Sequence, residues 1–106
     1  MPKYLLEAKY TSEGAKGLIK DGGSKRQAAV RALMQSLGGT LESFYYAFGS
    51  NDALIIADLP DNAAAAAGSL TVAATGAVSA KITVLLTPAD IDAAVKKSPS
   101  YTPPGR

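Results

Sequence analysis

Residues 42–52 read ESFYYAFGSND. Phe44, Tyr45 and Tyr46 stand side by side, and Gly49-Ser50-Asn51-Asp52 is a tight-turn signal. The run before the turn, Thr40 to Phe48, is rich in β-formers, and so is Ala53 to Leu59 after it. That spacing predicts a β-hairpin. Setting Gly49 opposite Asp52 places Phe48 against Ala53, Tyr46 against Ile55 and Phe44 against Ala57. Cross-strand partners share a face. Phe44, Tyr46 and Phe48 therefore lie with the core-facing Ala53, Ile55 and Ala57. Ser43, Tyr45 and Ala47 lie with Leu54, Ile56 and Asp58 on the opposite face.

Upstream, Lys3 to Tyr10 alternates as a strand: Tyr4, Leu6, Ala8 and Tyr10 on one side, Leu5, Glu7 and Lys9 on the other. TSEGAKGLI suits a short helical turn capped by Thr11 or Ser12, broken at KDGG. A long helix is expected from Ser24, with Ser24 and Gln27 as a capping box. Val30, Leu33, Met34 and Leu37 form its apolar stripe and Gly38 its terminator. Downstream, Asp61 is an N-cap for a helix through DNAAAAAGSLTVAAT that ends near Gly76. Five successive alanines allow that helix a close approach to its neighbours. Lys81 to Leu86 is a fourth strand. Thr87-Pro88-Ala89-Asp90 opens a last short helix running to Lys96 or Lys97.

The order strand, helix, strand, strand, helix, strand is that of an α+β, ferredoxin-like βαββαβ fold. It has a four-stranded antiparallel sheet, two helices on one face and a short C-terminal helix. Residues 1–97 read as one domain. Residues 98–106, SPSYTPPGR, read as a Pro-rich tail, extended or disordered.

The 106 residues include no cysteine and no histidine. Thiolate catalysis, disulfide scaffolds, cysteine-ligated metals and imidazole chemistry are excluded. No run of Asp and Glu has ligand spacing, so neither a metal nor a cofactor is expected, and no catalytic residue stands out. The apolar residues of MPKYLLEAKY are interrupted by Glu7 and Lys9, which argues against a leader or a membrane span and for a cytoplasmic protein. Charge is uneven: residues 1–31 hold seven basic and three acidic residues, 32–80 none and four, 81–106 four and two. The aromatics cluster in the acidic part, which disfavours nucleic acid as a partner. Lys20, Lys25 and Arg26 around KDGGSKR are either an anion site at a helix start or a solvated basic rim.

The uncovered sheet face collects Leu5, Leu54, Ile56 and Leu85 with Thr83, a surface too apolar for solvent. The same face of a second subunit is the simplest cover, and two such sheets make an α/β barrel with a cavity. Tyr45, Lys9, Glu7 and Asp58 are the polar members of this face and the candidate ligand-binding residues. The alternative is structural: Tyr45 in an interface, and Lys9 ion-paired to Glu7 or Asp58. Asp52 is expected to serve the turn itself.

Tyr4, Thr11 and Gly14, then LGGTLESFYYAFG, the FGSND turn and LPDNAAAAA resemble the GYD domain family over roughly residues 2–95. The family's Gly-x-Tyr-Asp turn is here Gly49-Ser50-Asn51-Asp52, with Asn51 in place of tyrosine. The resemblance implies a ferredoxin-like domain of unestablished activity and transfers no catalytic residue. Three functions compete. One is a homo-oligomer that binds a small, partly apolar molecule between sheet faces. Another is a cofactor-free oxygenase, isomerase or decarboxylase on the same barrel. The third is a structural or regulatory protein-interaction module.

Overall fold

The computed structural model describes residues 1–47 and 49–106. The elements run β1 (Lys3–Tyr10), α1 (Ser12–Asp21), α2 (Gly23–Ser36), β2 (Thr40–Tyr46), β3 (Ala53–Asp58), α3 (Asn62–Ala74), β4 (Val78–Leu85) and α4 (Pro88–Val95). The strands form one antiparallel sheet in the order β2-β3-β1-β4. This is the ferredoxin-like arrangement that the element order predicts.

Alternation in β1 decides what is inside. Tyr4, Leu6 and Ala8 are buried, and with Met34, Ile55, Ala57, Leu59 and Ala65 they make up most of the core. Val30 and Leu33 of α2 and Leu37 at its C-cap pack against it, as the apolar stripe predicts. α3 approaches closely: Ala65 and Gly68 are its buried residues, and a Cβ on Gly68 would meet the Leu37 side chain at 2.9 Å. Asp61 caps α3 by accepting from the Ala64 N–H at 2.8 Å. Thr87 and Asp90 close a reciprocal capping box at the start of α4.

The structure departs from the sequence reading at four places. First, the hairpin register is shifted by two residues: Tyr46 opposes Ala53, Tyr45 opposes Leu54 and Phe44 opposes Ile55. Side chains alternate with period two, so a two-residue shift changes every partner and no face. A bulge between Leu41 and Ser43 then turns Leu41 onto the core side, where it packs. The expected place of Phe48 in the core lies outside the described residues.

Second, the segment expected to make only a short helical turn forms a full ten-residue helix, SEGAKGLIKD, capped by Thr11, one of the two predicted caps, whose side chain accepts from the Gly14 N–H. Third, Ser24 is not an N-cap. α2 starts one residue earlier, behind Gly22, and has no side-chain cap. Gly22 stands at φ 81°, a left-handed turn that joins α1 to α2 without a loop. Ser24 is thereby drawn inside the first turn. β4 also begins earlier than predicted, at Val78, because Tyr10 and Lys9 extend their pairing to Val78 and Ser79.

Thr11 and Gly14 hold α1 to the turn before β4. Thr11 donates through its amide to the Ala77 carbonyl (3.0 Å) and through Oγ1 to the Gly76 carbonyl (2.8 Å). A Cβ on Gly14 would collide with the Ala77 carbonyl oxygen and crowd the Tyr10 ring at 2.9 Å. A backbone oxygen has no rotamer to escape into. Gly14→Ala is therefore expected to cost about 1–3 kcal/mol, at the upper end of that range. Urea unfolding checks it as a lower midpoint at unchanged slope.

Candidate functional site

Both predicted helices, α2 and α3, lie on the side of the sheet that carries Tyr4, Leu6, Ile55 and Ala57. The opposite face is set by the strand registers, which arrange it in rows. Ser43, Ile56, Leu5 and Thr83 form one row, and Tyr45, Leu54, Glu7 and Lys81 the next. Asp58, Lys3 and Leu85 align at one end, with Lys9 beside Ser79 at the other. An apolar band thus runs between two charged ends. Tyr45 is 70% exposed and Leu54 37%, with Leu5 and Ile56 half-buried.

The four predicted ligand-binding residues all fall on this face, but they do not form one cluster. Tyr45 and Glu7 share a row, two strands apart, about 10 Å from strand spacing. Lys9 is the next outward-facing residue beyond Glu7. Asp58 aligns with Lys3 instead, four residues along β1 from Glu7, about 13 Å at strand rise. The alternative ion pairing of Lys9 is not formed either. Asp58 Oδ1 takes Lys3 Nζ at 2.9 Å, and Glu42 Oε2 joins the same ammonium at 3.4 Å. Glu7 Oε2 accepts from Asn51 Nδ2 at 2.8 Å.

Lys3, Glu42, Asn51 and Lys81 complete the polar margin and were missed from sequence. Lys3 and Lys81 carry the right parity and were findable by extending the alternation one step. Glu42 was not, because the bulge that puts it there has no local signal. Asp52 does not close the turn on itself as the sequence suggests: its Oδ2 reaches across to β1 and accepts the Tyr10 N–H at 2.8 Å, which ties the hairpin turn to the end of that strand. At KDGGSKR, Lys25 of α2 is paired with Asp21 of α1 at 3.6 Å across the Gly22 junction, which fits the basic-rim reading.

A second feature lies on the helix side. A cleft of about 540 Å³ opens between α1 and the hairpin, lined by Tyr10, Leu18, Ile19, Tyr46 and Asp52 among others. Tyr46 donates to the Gly23 carbonyl (3.0 Å) across its edge, and its ring meets Phe44 edge-on at 5.0 Å. Sequence alternation assigned Tyr46 to the core, yet it is 37% exposed because β2 is an edge strand and α1 stands off from it.

Two groups on these faces have raised pKa values. For Lys3 the hydrogen bond it donates to Asp58 leads, opposed by desolvation and helped by Glu42. For Tyr46 burial leads, followed by the Tyr10 phenol. In both cases the folded chain holds its proton more tightly than the unfolded chain. Their stabilisation is complete below the ordinary values of 10.5 and 10.0 and is lost as pH rises through the raised ones. Stability is therefore expected to fall above about pH 10, and Lys3→Met with Tyr46→Phe to flatten that fall in denaturant titrations.

No helix among the described residues is long and apolar enough to cross a membrane. The chain matches no curated protein and no solved structure. A family model for the GYD domain matches residues 4–95. That span runs from the buried Tyr4 to the last residue of α4 and takes in the Thr11–Gly14 clasp and the Asn51 turn. The turn position where the family's tyrosine would stand is the one whose side chain reaches Glu7 on the open face. By this match over most of its length, the chain belongs to the GYD domain family.

Proposed function

We propose that the protein is a homodimer that pairs its open sheet faces and holds a small, partly apolar molecule between them. The observation that carries this reading is the apolar band of exposed Tyr45 and Leu54 and half-buried Leu5 and Ile56 on a sheet covered on one side only. An apolar strip with Lys3 and Asp58 at one end and Glu7, Lys81 and Lys9 at the other is self-complementary under a two-fold axis, as an isologous contact requires. Tyr45, Glu7 and Lys9 would face the ligand, and Asp58 with Lys3 would stand at the rim. Binding is favoured over acid–base catalysis. Glu7 and Asp58 lie about 13 Å apart along the strand, and each already has a partner.

The cleft beside α1 supports a second reading, in which the ligand sits against Leu18, Ile19 and Tyr46. Its volume is that of ordinary small-molecule sites. A thermal-shift screen with phenols, small aromatic carboxylates and aromatic amines tests both. A compound present at one hundred times its Kd stabilises the folded chain by about 2.7 kcal/mol, a shift of several degrees. Loss of the shift in Tyr45→Ala assigns the sheet face, and loss in Leu18→Asp assigns the cleft. A panel that moves neither protein nor variants removes both.

A further inference from the structure

We propose that the segment from Leu86 to Arg106 is an arm that each copy lays on a second copy of the chain, along its acidic β2–β3–α3 side. This rests on the self-association reading above. The arm is detached from its own body. α4 has no buried residue, and from Leu86 to Arg106 every residue except Pro103 is exposed. The molecule measures 57 × 32 × 23 Å with a radius of gyration of 16.9 Å. A compact chain of this size would have about 13 Å.

The arm is nevertheless built for contact. α4 is eight residues long, well short of the roughly 12–15 at which an isolated helix becomes even marginal. It is yet fully capped, with Pro88 in the first turn and the Thr87–Asp90 box. Ile91 and Val95, one turn apart, are 48% and 69% exposed, and Leu86 and Tyr101 flank them at 64% and 75%. Pro99, Pro103 and Pro104 fix φ at three positions of the remainder, which lowers the entropy lost on docking.

Charge and area name the occupant. Beyond Asp90 and Asp92 the arm holds Lys96, Lys97 and Arg106 and no acidic residue, whereas residues 32–80 hold Glu42, Asp52, Asp58 and Asp61 and no basic one, with Lys3 of β1 as the one cation paired to them among the described residues. A second copy therefore offers the complement of the arm. The open face alone supplies only about half of the roughly 20–30 residues a side that a standard interface uses, and the arm supplies the rest.

The test uses the full chain in two forms. In the first, Ile91→Asp with Val95→Asp is compared with wild type and with Tyr45→Arg plus Leu54→Asp by sedimentation. In the second, benzoylphenylalanine replaces Val95 and light and heavy-isotope copies are mixed before photolysis. The expected result is a dissociation constant at least about tenfold higher for the arm variant, with cross-links joining light to heavy copies within residues 40–61. Circular dichroism of the arm variant should be unchanged, since α4 buries nothing in its own copy. If the arm variant associates as wild type does and only the sheet variant dissociates, the arm proposal falls and the sheet-face reading stands. If only the arm variant dissociates, the reverse holds. A wild-type chain that stays monomeric at high micromolar concentration overturns both, and cross-links confined to one copy or landing elsewhere overturn the arm.

Discussion

Tyr4→Ala is expected to lower the unfolding free energy by about 3–5 kcal/mol, as for other large aromatic truncations in cores. Tyr4 is 1% exposed, the largest fully buried side chain among the described residues, and is the second residue of β1, the strand that lies between β3 and β4. The surrounding side chains cannot collapse into the space, because Ala57, its partner on β3, and Ala65 on α3 are already small. The phenol adds a directed bond, donating to Asn62 Oδ1 at 2.6 Å in the first turn of α3. Tyr4→Phe removes only that bond and should cost about 1 kcal/mol. Urea titrations of both variants measure the difference. Domains of this kind have about 5–15 kcal/mol in total, so the alanine variant should be partly unfolded or close to it. Equal losses for the two variants would mean that the hydrogen bond, not the ring, holds the core.

The second large effect is expected on association. Tyr45→Arg with Leu54→Asp places two charges in the middle of the apolar band, directly opposite each other across β2 and β3. Central interface residues cost about 2 kcal/mol or more when lost, so the dissociation constant should rise at least about 30-fold. Both side chains are exposed in the single chain, 70% and 37%. The stability of the monomer should therefore move by no more than about 0.5 kcal/mol. Sedimentation gives the first quantity and urea unfolding the second. A dimer of unchanged affinity would show that the band is not buried between copies.

The GYD match and the sheet order agree with the fold read from the chain, and the reasons differ by feature. Helix ends that depend on neighbouring residues were legible. Thr11, Asp61 and Thr87 cap as their chemistry requires, with acceptors three residues from the amides they satisfy. The break between α1 and α2 was legible in the glycines of KDGG, but the start of α2 was not: Gly22 alone makes the turn, at φ 81°, so Gly23 already lies in α2 and Ser24 has no cap to make.

Faces were determined by the sequence alone, because the pleat repeats every two residues and burial needs only parity. Tyr45, Glu7, Lys9 and Asp58 could thus be put on the open side before any pairing was known. Which of them meet was decided by tertiary structure. Register and the bulge near Glu42 depend on contacts between strands that the chain brings together from far apart. They gave Asp58 to Lys3 and Glu7 to Asn51, splitting a site that alternation had drawn as one. The cleft beside α1 and the detached arm belong to the same class, since a space exists only between elements already placed.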